Sequence, residues 1–165
     1  MAITDTDLAH LRAAVDLADA ARRRGDDPFG ARVAAADGRV LADGGNLVHT
    51  TADVTAHAEV VALRALGTLA GAPELAAATL YASGEPCAMC AAAIAWAGVG
   101  RVVFAVDARR IRALDGDAPT APAVPGREIL ERSGRRSEHA TEIAAEAEAR
   151  LWPGARRTSV DTDGV

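Results

Sequence analysis

The sequence contains no lysine. All 18 of its basic residues are arginine, set against 23 acidic residues for a net charge of −5 over 165 residues. A surface of that sign repels phosphate backbones and so argues against broad binding of nucleic acid or anionic membrane, unless the arginines gather on one face. Aromatic residues are scarce as well, at 3%, and consist of Phe29, Tyr81, Trp96, Phe104 and Trp152. Cysteine is nearly absent. Cys87 and Cys90 are too few for a disulfide framework, and their close spacing points to metal or redox chemistry in a reducing compartment, hence the cytoplasm. The first ten residues lack the basic start and apolar run of a secretory leader. No apolar run reaches the roughly 20 residues that a membrane span needs; the longest candidate, 87–106, is divided by Gly98, Gly100 and Arg101.

What is present suits one globular domain. Half of the residues are hydrophobic and a quarter charged, which is the balance of a chain with a real core. We expect a single domain over 1–152 and a polar C-terminal tail over 153–165. Leu8, Leu11, Val15 and Ala18 recur at helical spacing between a Thr4 or Thr6 cap and a Gly25 stop, predicting an amphipathic helix over 4–24. Strands over 31–35 and 39–42 flank Asp37-Gly38, a pair suited to a tight hairpin turn. A polar loop over 43–53 precedes a helix over 55–69. A buried strand over 78–82, a helix over 86–97 and a strand over 101–106 then alternate, implying a βαβ crossover and a parallel strand pair within a mixed sheet. Pro119, Pro122 and Pro125 mark a surface loop over 115–126, followed by a helical turn over 127–132 and a last helix over 137–151.

Two short strings carry the chemistry: His57-Ala58-Glu59 and Pro86-Cys87-Ala88-Met89-Cys90, each opening a helix. The cysteines sit three apart, so both sulfurs leave one face of the first turn, where free N–H groups and the helix dipole favour thiolates. Two thiolates and one imidazole suit zinc and leave its fourth tetrahedral position to a water or hydroxide, the pattern of a catalytic rather than a closed structural site. Glu59 lies roughly 200° around a helix from His57 and therefore takes a different role. A carboxylate beside such a water can take its proton and pass protons on to a substrate. His10, His49 and His139 lack ligand spacing to the cysteines and read as surface or loop residues. Two rivals remain at this point: a redox CxxC centre, which leaves the His-Ala-Glu string unexplained, and a structural zinc module.

The HxE and PCxxC pair is the pattern of zinc deaminases. Together with Pro28-Phe29-Gly30-Ala31, the Asn46 loop and the strand Leu80-Tyr81-Ala82-Ser83-Gly84-Glu85, it makes residues 8–107 resemble the cytidine and nucleobase deaminase superfamily, in the branch of guanine deaminases and bacterial tRNA adenosine deaminases. The resemblance implies a three-layer α/β fold, cytidine deaminase-like, with a mixed five-stranded sheet and helices on both faces. It implies one zinc ion per subunit on His57, Cys87 and Cys90, Glu59 as the proton shuttle, and a homodimer. Substrate contacts would fall to Phe29, Asn46, Trp96, the backbone around Ala58, and Asp115 or Asp117. Each has a plainer alternative: packing for Phe29 and Trp96, a turn for Asn46, loop solvation for the aspartates. The expected activity is hydrolytic deamination of a small aminated nucleobase, guanine first. Cytosine, a triazine, an isoguanine-like base, a nucleoside and tRNA adenosine are the alternatives, and tRNA is disfavoured by the acidic charge. One departure stands against guanine: the aromatic C-terminal arm that such enzymes can carry has no counterpart over 154–165.

Overall fold

The computed structural model describes residues 2–69, 72–115 and 124–154. Helix α1, Asp5–Arg24, opens on Thr4, whose hydroxyl accepts from the Asp7 N–H while the Asp7 carboxylate accepts from the Thr4 N–H, a capping box. Strands β1, Gly30–Ala34, and β2, Val40–Gly45, form the expected hairpin, with Gly38 at φ 85° in its turn. Beyond it come α2, Val48–Thr51, and α3, Ala58–Ala65; β3, Thr79–Gly84; α4, Ala88–Ala97; and β4, Arg101–Val106. The chain continues through α5, Ala108–Asp115, α6, Gly126–Arg132, β5, Arg136–His139, and α7, Thr141–Leu151.

The five strands lie in the order β2-β1-β3-β4-β5. The β1 strand is antiparallel to both neighbours, whereas β3, β4 and β5 run parallel, so the sheet is mixed. Alternation along the strands sends side chains to two cores. Val33, Leu80, Val102 and Phe104 join Ala62, Leu63, Ile94 and Leu130 on the face covered by α3, α4 and α6. Tyr81, Val103 and Ala105 join Leu11, Val15, Ile143 and Leu151 on the face covered by α1 and α7. These are the three layers of a cytidine deaminase-like fold.

Several boundaries differ from the sequence expectation. The 137–151 helix begins only at Thr141, because 136–139 is drawn into the sheet as β5, pairing Arg101 with Arg136 and Phe104 with His139. His139 therefore lies in a strand rather than a loop, stacked on Phe104 with ring centroids 5.1 Å apart. Residues 108–115 form a helix that the weak apolar pattern there concealed. The loop over 43–53 is partly strand and partly α2. Both motif helices start later than expected, at Ala58 and Ala88. The proline-bearing loop, with Asp117, falls mostly in 116–123, and the tail from 155 onward also lies outside the described residues. No described helix is long and apolar enough to cross a membrane.

Candidate active site and metal centre

The site forms where β2 and β3 end and β1 begins, at the edge of the sheet from which the parallel strands emerge, the usual place for ligands in α/β sheets. The ends are stitched together by backbone and hydroxyl contacts. Asn46 N–H donates to Phe29 O at 2.9 Å, Leu47 N–H to Ala56 O at 2.9 Å, and Gly30 N–H to the Ser83 hydroxyl at 3.0 Å. Helix α3 lies flush on β2: a Cβ at Gly44 would fall 2.3 Å from Ala58 O and 2.5 Å from Ala62 N. Only glycine permits that approach, and it fixes the start of α3 against the sheet.

His57 and Cys87 occupy equivalent places. Each is the N-cap of its helix, with extended backbone at ψ 152° and 172°, and each carbonyl accepts the first intrahelical bond, from Val61 N–H and Ala91 N–H. His57 and Glu59 are thus separated by the turn into the helix, not by rotation around it. Cys87 likewise precedes the first turn instead of lying within it, while Cys90 is inside the helix and buried.

His57 Nδ1 lies 3.6 Å from each of the two cysteine sulfurs, and the three ligand atoms all fall within 4.8 Å of one another. Zinc–sulfur bonds of ~2.3 Å and zinc–nitrogen bonds of ~2.05 Å meeting at a tetrahedral angle separate nitrogen from sulfur by about 3.6 Å. The donor set and its spacing fit zinc. Among the described residues no other group of three such side chains is gathered. Hydrogen bonding from Cys90 and from His57 outweighs the opposing effect of burial and holds the Cys87 thiol down, at about 4. The same contact with Cys87, together with burial, pushes Cys90 up. The hydrogen bond with Cys87, and then its charge, in turn raise His57 against the effect of burial.

Glu59 is 7% exposed. Enclosure pushes its carboxyl up, helped by the Cys87 charge, and Cys90 hydrogen-bonds to it. A carboxyl raised in this way holds a proton more firmly than a free one, a perturbation typical of general acids and bases.

The remaining expected residues are placed unevenly. Asn46 is 1% exposed beside Phe29, and its Oδ1 accepts from Val48 N–H at 3.0 Å, so the turn role is real. Phe29 lies against Gly84 and packs edge-on to Trp152 at 6.1 Å. Ala58 is buried at the first position of α3. Asp115, at the end of α5, accepts a hydrogen bond from the Trp152 indole. Trp96 stands apart: six residues beyond Cys90, it is 89% exposed and packs neither in the core nor around the ligand cluster of its own chain. Trp152 received no role from the sequence, although an aromatic so close to the C-terminus is the signal that would have found it.

The sequence profile of the cytidine and deoxycytidylate deaminase zinc-binding region matches residues 4–106. A probable cytosine deaminase of Schizosaccharomyces pombe is 36% identical over 131 residues, 78% of either chain. The guanine deaminase of Bacillus subtilis is 48% identical over 80 residues, 48% of this chain and 51% of that one. A structure solved in complex with 2,6-diaminopurine superposes with a TM-score of 0.77 at 27% identity, covering 91% of this chain and 82% of the other. With a family profile spanning more than half of the chain and a nitrogen-sulfur cluster of zinc dimensions at the matched motifs, the chain belongs to the cytidine and deoxycytidylate deaminase family and is a zinc-dependent deaminase.

Proposed function

We propose that the protein hydrolyses the exocyclic amine of a small free nucleobase, with guanine the first candidate, and releases ammonia. The observation that carries this reading is the enclosed Glu59 carboxyl, set against the His57, Cys87 and Cys90 cluster with its proton affinity raised. Zinc held by these three side chains supplies positive charge and an acidified water. Glu59 accepts the proton that the attacking water gives up. It delivers that proton to the ring nitrogen, then takes the proton left on the new hydroxyl and gives it to the departing amine, so that water and the aminated ring become the oxo ring and ammonia. Phe29 offers a flat face to the base, the Asn46 amide and the first N–H groups of α3 at Ala58 offer donors, and Asp115 offers an acceptor to an amino edge.

The arginines support a free base over tRNA. Arg22 and Arg23 are paired with Asp19, Arg24 with Asp26, and Arg110 with Glu148. Cations already neutralised by neighbouring carboxylates hold phosphates weakly. Guanine is supported by the similarity to a guanine deaminase, and a purine by the relative that binds 2,6-diaminopurine. Cytosine is the second reading, favoured by the similarity to a probable cytosine deaminase. An ammonia-release screen over guanine, cytosine, their nucleosides and a tRNA anticodon stem-loop tests the choice. Turnover of the stem-loop with none of any free base would refute it.

A homodimer belongs to the same proposal. A tryptophan left 89% exposed presents a large apolar surface that association would cover. Sedimentation of the protein and of Trp96→Ser checks this, and an unchanged monomeric mass in both would overturn it.

A further inference from the structure

We propose that Arg127 is a positioning residue for the metal centre: acting through Glu85, it fixes the Pro86–Cys87 turn that presents Cys87 to the ligand cluster. The inference holds whichever base is the substrate, and Arg127 lies beyond the residues matched by the family profile.

Glu85 is the residue between the end of β3 and the motif proline, and its side chain is 1% exposed. Arg127 grips its carboxylate with two bonds, Nε to Oε1 at 3.0 Å and an Nη to Oε2 at 2.7 Å, while Ala108 N–H donates to Oε2 at 3.0 Å. The Glu85 N–H donates to Val106 O at 2.7 Å. Backbone and side chain of this one residue thus join the ends of β3 and β4 and the starts of α5 and α6. Its carboxylate does not belong to the ligand cluster, so it acts through what it holds in place.

What it holds is a turn that, among the described residues, no side chain caps. Cys87 is an N-cap with no side-chain capping bond, and its side chain is exposed, whereas Cys90 is pinned inside α4 by the core. From the other side, α6 starts directly against the turn: a Cβ at Gly126 would fall 1.8 Å from Pro86 O and 3.3 Å from Cys87 O. Leu130, fully buried, roots α6 in the core. The charged bidentate pair is the strong, directional form of such a contact, and it closes the turn between two rooted elements. Outer partners of this kind set ligand orientation and thereby metal affinity.

The test compares wild type, Arg127→Met and Arg127→Lys as zinc-loaded proteins. Zinc affinity is measured by competition with a chromophoric chelator, and ligand geometry by the visible and thiolate charge-transfer bands after cobalt substitution. Arg127→Met should weaken zinc binding by about 10- to 100-fold and shift the cobalt bands, with Arg127→Lys recovering part of the loss. Arg132→Met, on the same helix but 81% exposed in its pair with Glu128, should change neither. If Arg127→Met fails to fold, Glu85→Gln is read instead, keeping shape while discharging the pair, and should weaken zinc binding in the same direction. Affinity within about threefold of wild type and unaltered cobalt bands in the folded variant would overturn the proposal, whatever happens to thermal stability.

Discussion

Replacing Gly44 with alanine should damage catalysis from a position that touches no ligand. The added methyl would lie 2.3 Å from Ala58 O, and relief to an ordinary contact near 3.4 Å requires the start of α3 to move away from β2 by about 1 Å. The neighbours are backbone atoms on both sides, so no side chain can swing aside. His57 and Glu59 travel with that helix start, while Cys87 and Cys90 remain on α4. Overpacking of this kind costs about 1–3 kcal/mol, which for a chain of this length lowers Tm by about 3 °C per kcal/mol. A displacement of about 1 Å at a reacting group lowers kcat/KM by about 100-fold. Ammonia release from the best substrate, zinc content and thermal melting, measured on one preparation, give the three readouts. Wild-type turnover together with an unchanged Tm would refute the argument, since it would mean that the strand and helix separate without disturbing the site.

Glu59→Gln should keep its zinc by elemental analysis and lose about 10²- to 10⁴-fold in kcat; retained turnover would remove Glu59 from the mechanism. Cys87→Ala should fail to retain zinc after dialysis while keeping its circular dichroism, and a full complement of metal would contradict the ligand assignment. On the opposite face, Asp7 accepts from Tyr81 at 2.8 Å, from Arg101 at 2.6 Å and from Thr4 at 2.9 Å. Burial alone would raise its carboxyl, but these bonds, Arg101 first, hold it well below the usual range. A depressed folded value means that the stabilisation is complete above the unfolded pKa, near 3.9, and is lost as pH falls below it. Asp7→Asn should therefore cost about 3 kcal/mol at neutral pH, the low end for a broken buried pair because Glu138 still holds Arg101. Urea titrations at pH 7 and pH 3 check this, with the difference between variant and wild type shrinking at the lower pH.

The His57, Cys87 and Cys90 cluster was legible because zinc chemistry constrains residue type and local spacing, and both strings are short. The first four strands were legible from alternation and turn residues. The fifth was not: Arg136–His139 is polar throughout and becomes a strand only through pairing with β4, where Arg101 binds Glu138 at 2.7 Å. The placement of His57 and Cys87 as caps was missed because a ligand spacing of three fits the first turn as well as the residue before it. Trp152 and Arg127 act across 37 and 42 residues of sequence, on Asp115 and Glu85, and no periodicity reports a contact of that range. Trp96, expected as a substrate contact with core packing as the alternative, is 89% exposed, because spacing along α4 does not say which face of the helix the sheet covers.

His57 and Cys87 are 30 residues apart in the chain, and the segment between them contains all of α3 and β3. A zinc ion joining them is therefore also a cross-link. Closing a loop of that length removes conformational freedom from the unfolded chain worth about 3–4 kcal/mol by the reasoning used for disulfides. Cys87 and Cys90 are both free thiols, so the ion would add to the packing of α3 and α4 the cross-link that a disulfide supplies elsewhere. The α1 and α7 face has no such dependence. Metal loss then removes a tie on one side of the sheet only, where the shared core of Ala62, Leu63, Ala91 and Ile94 still packs α3 and α4 together.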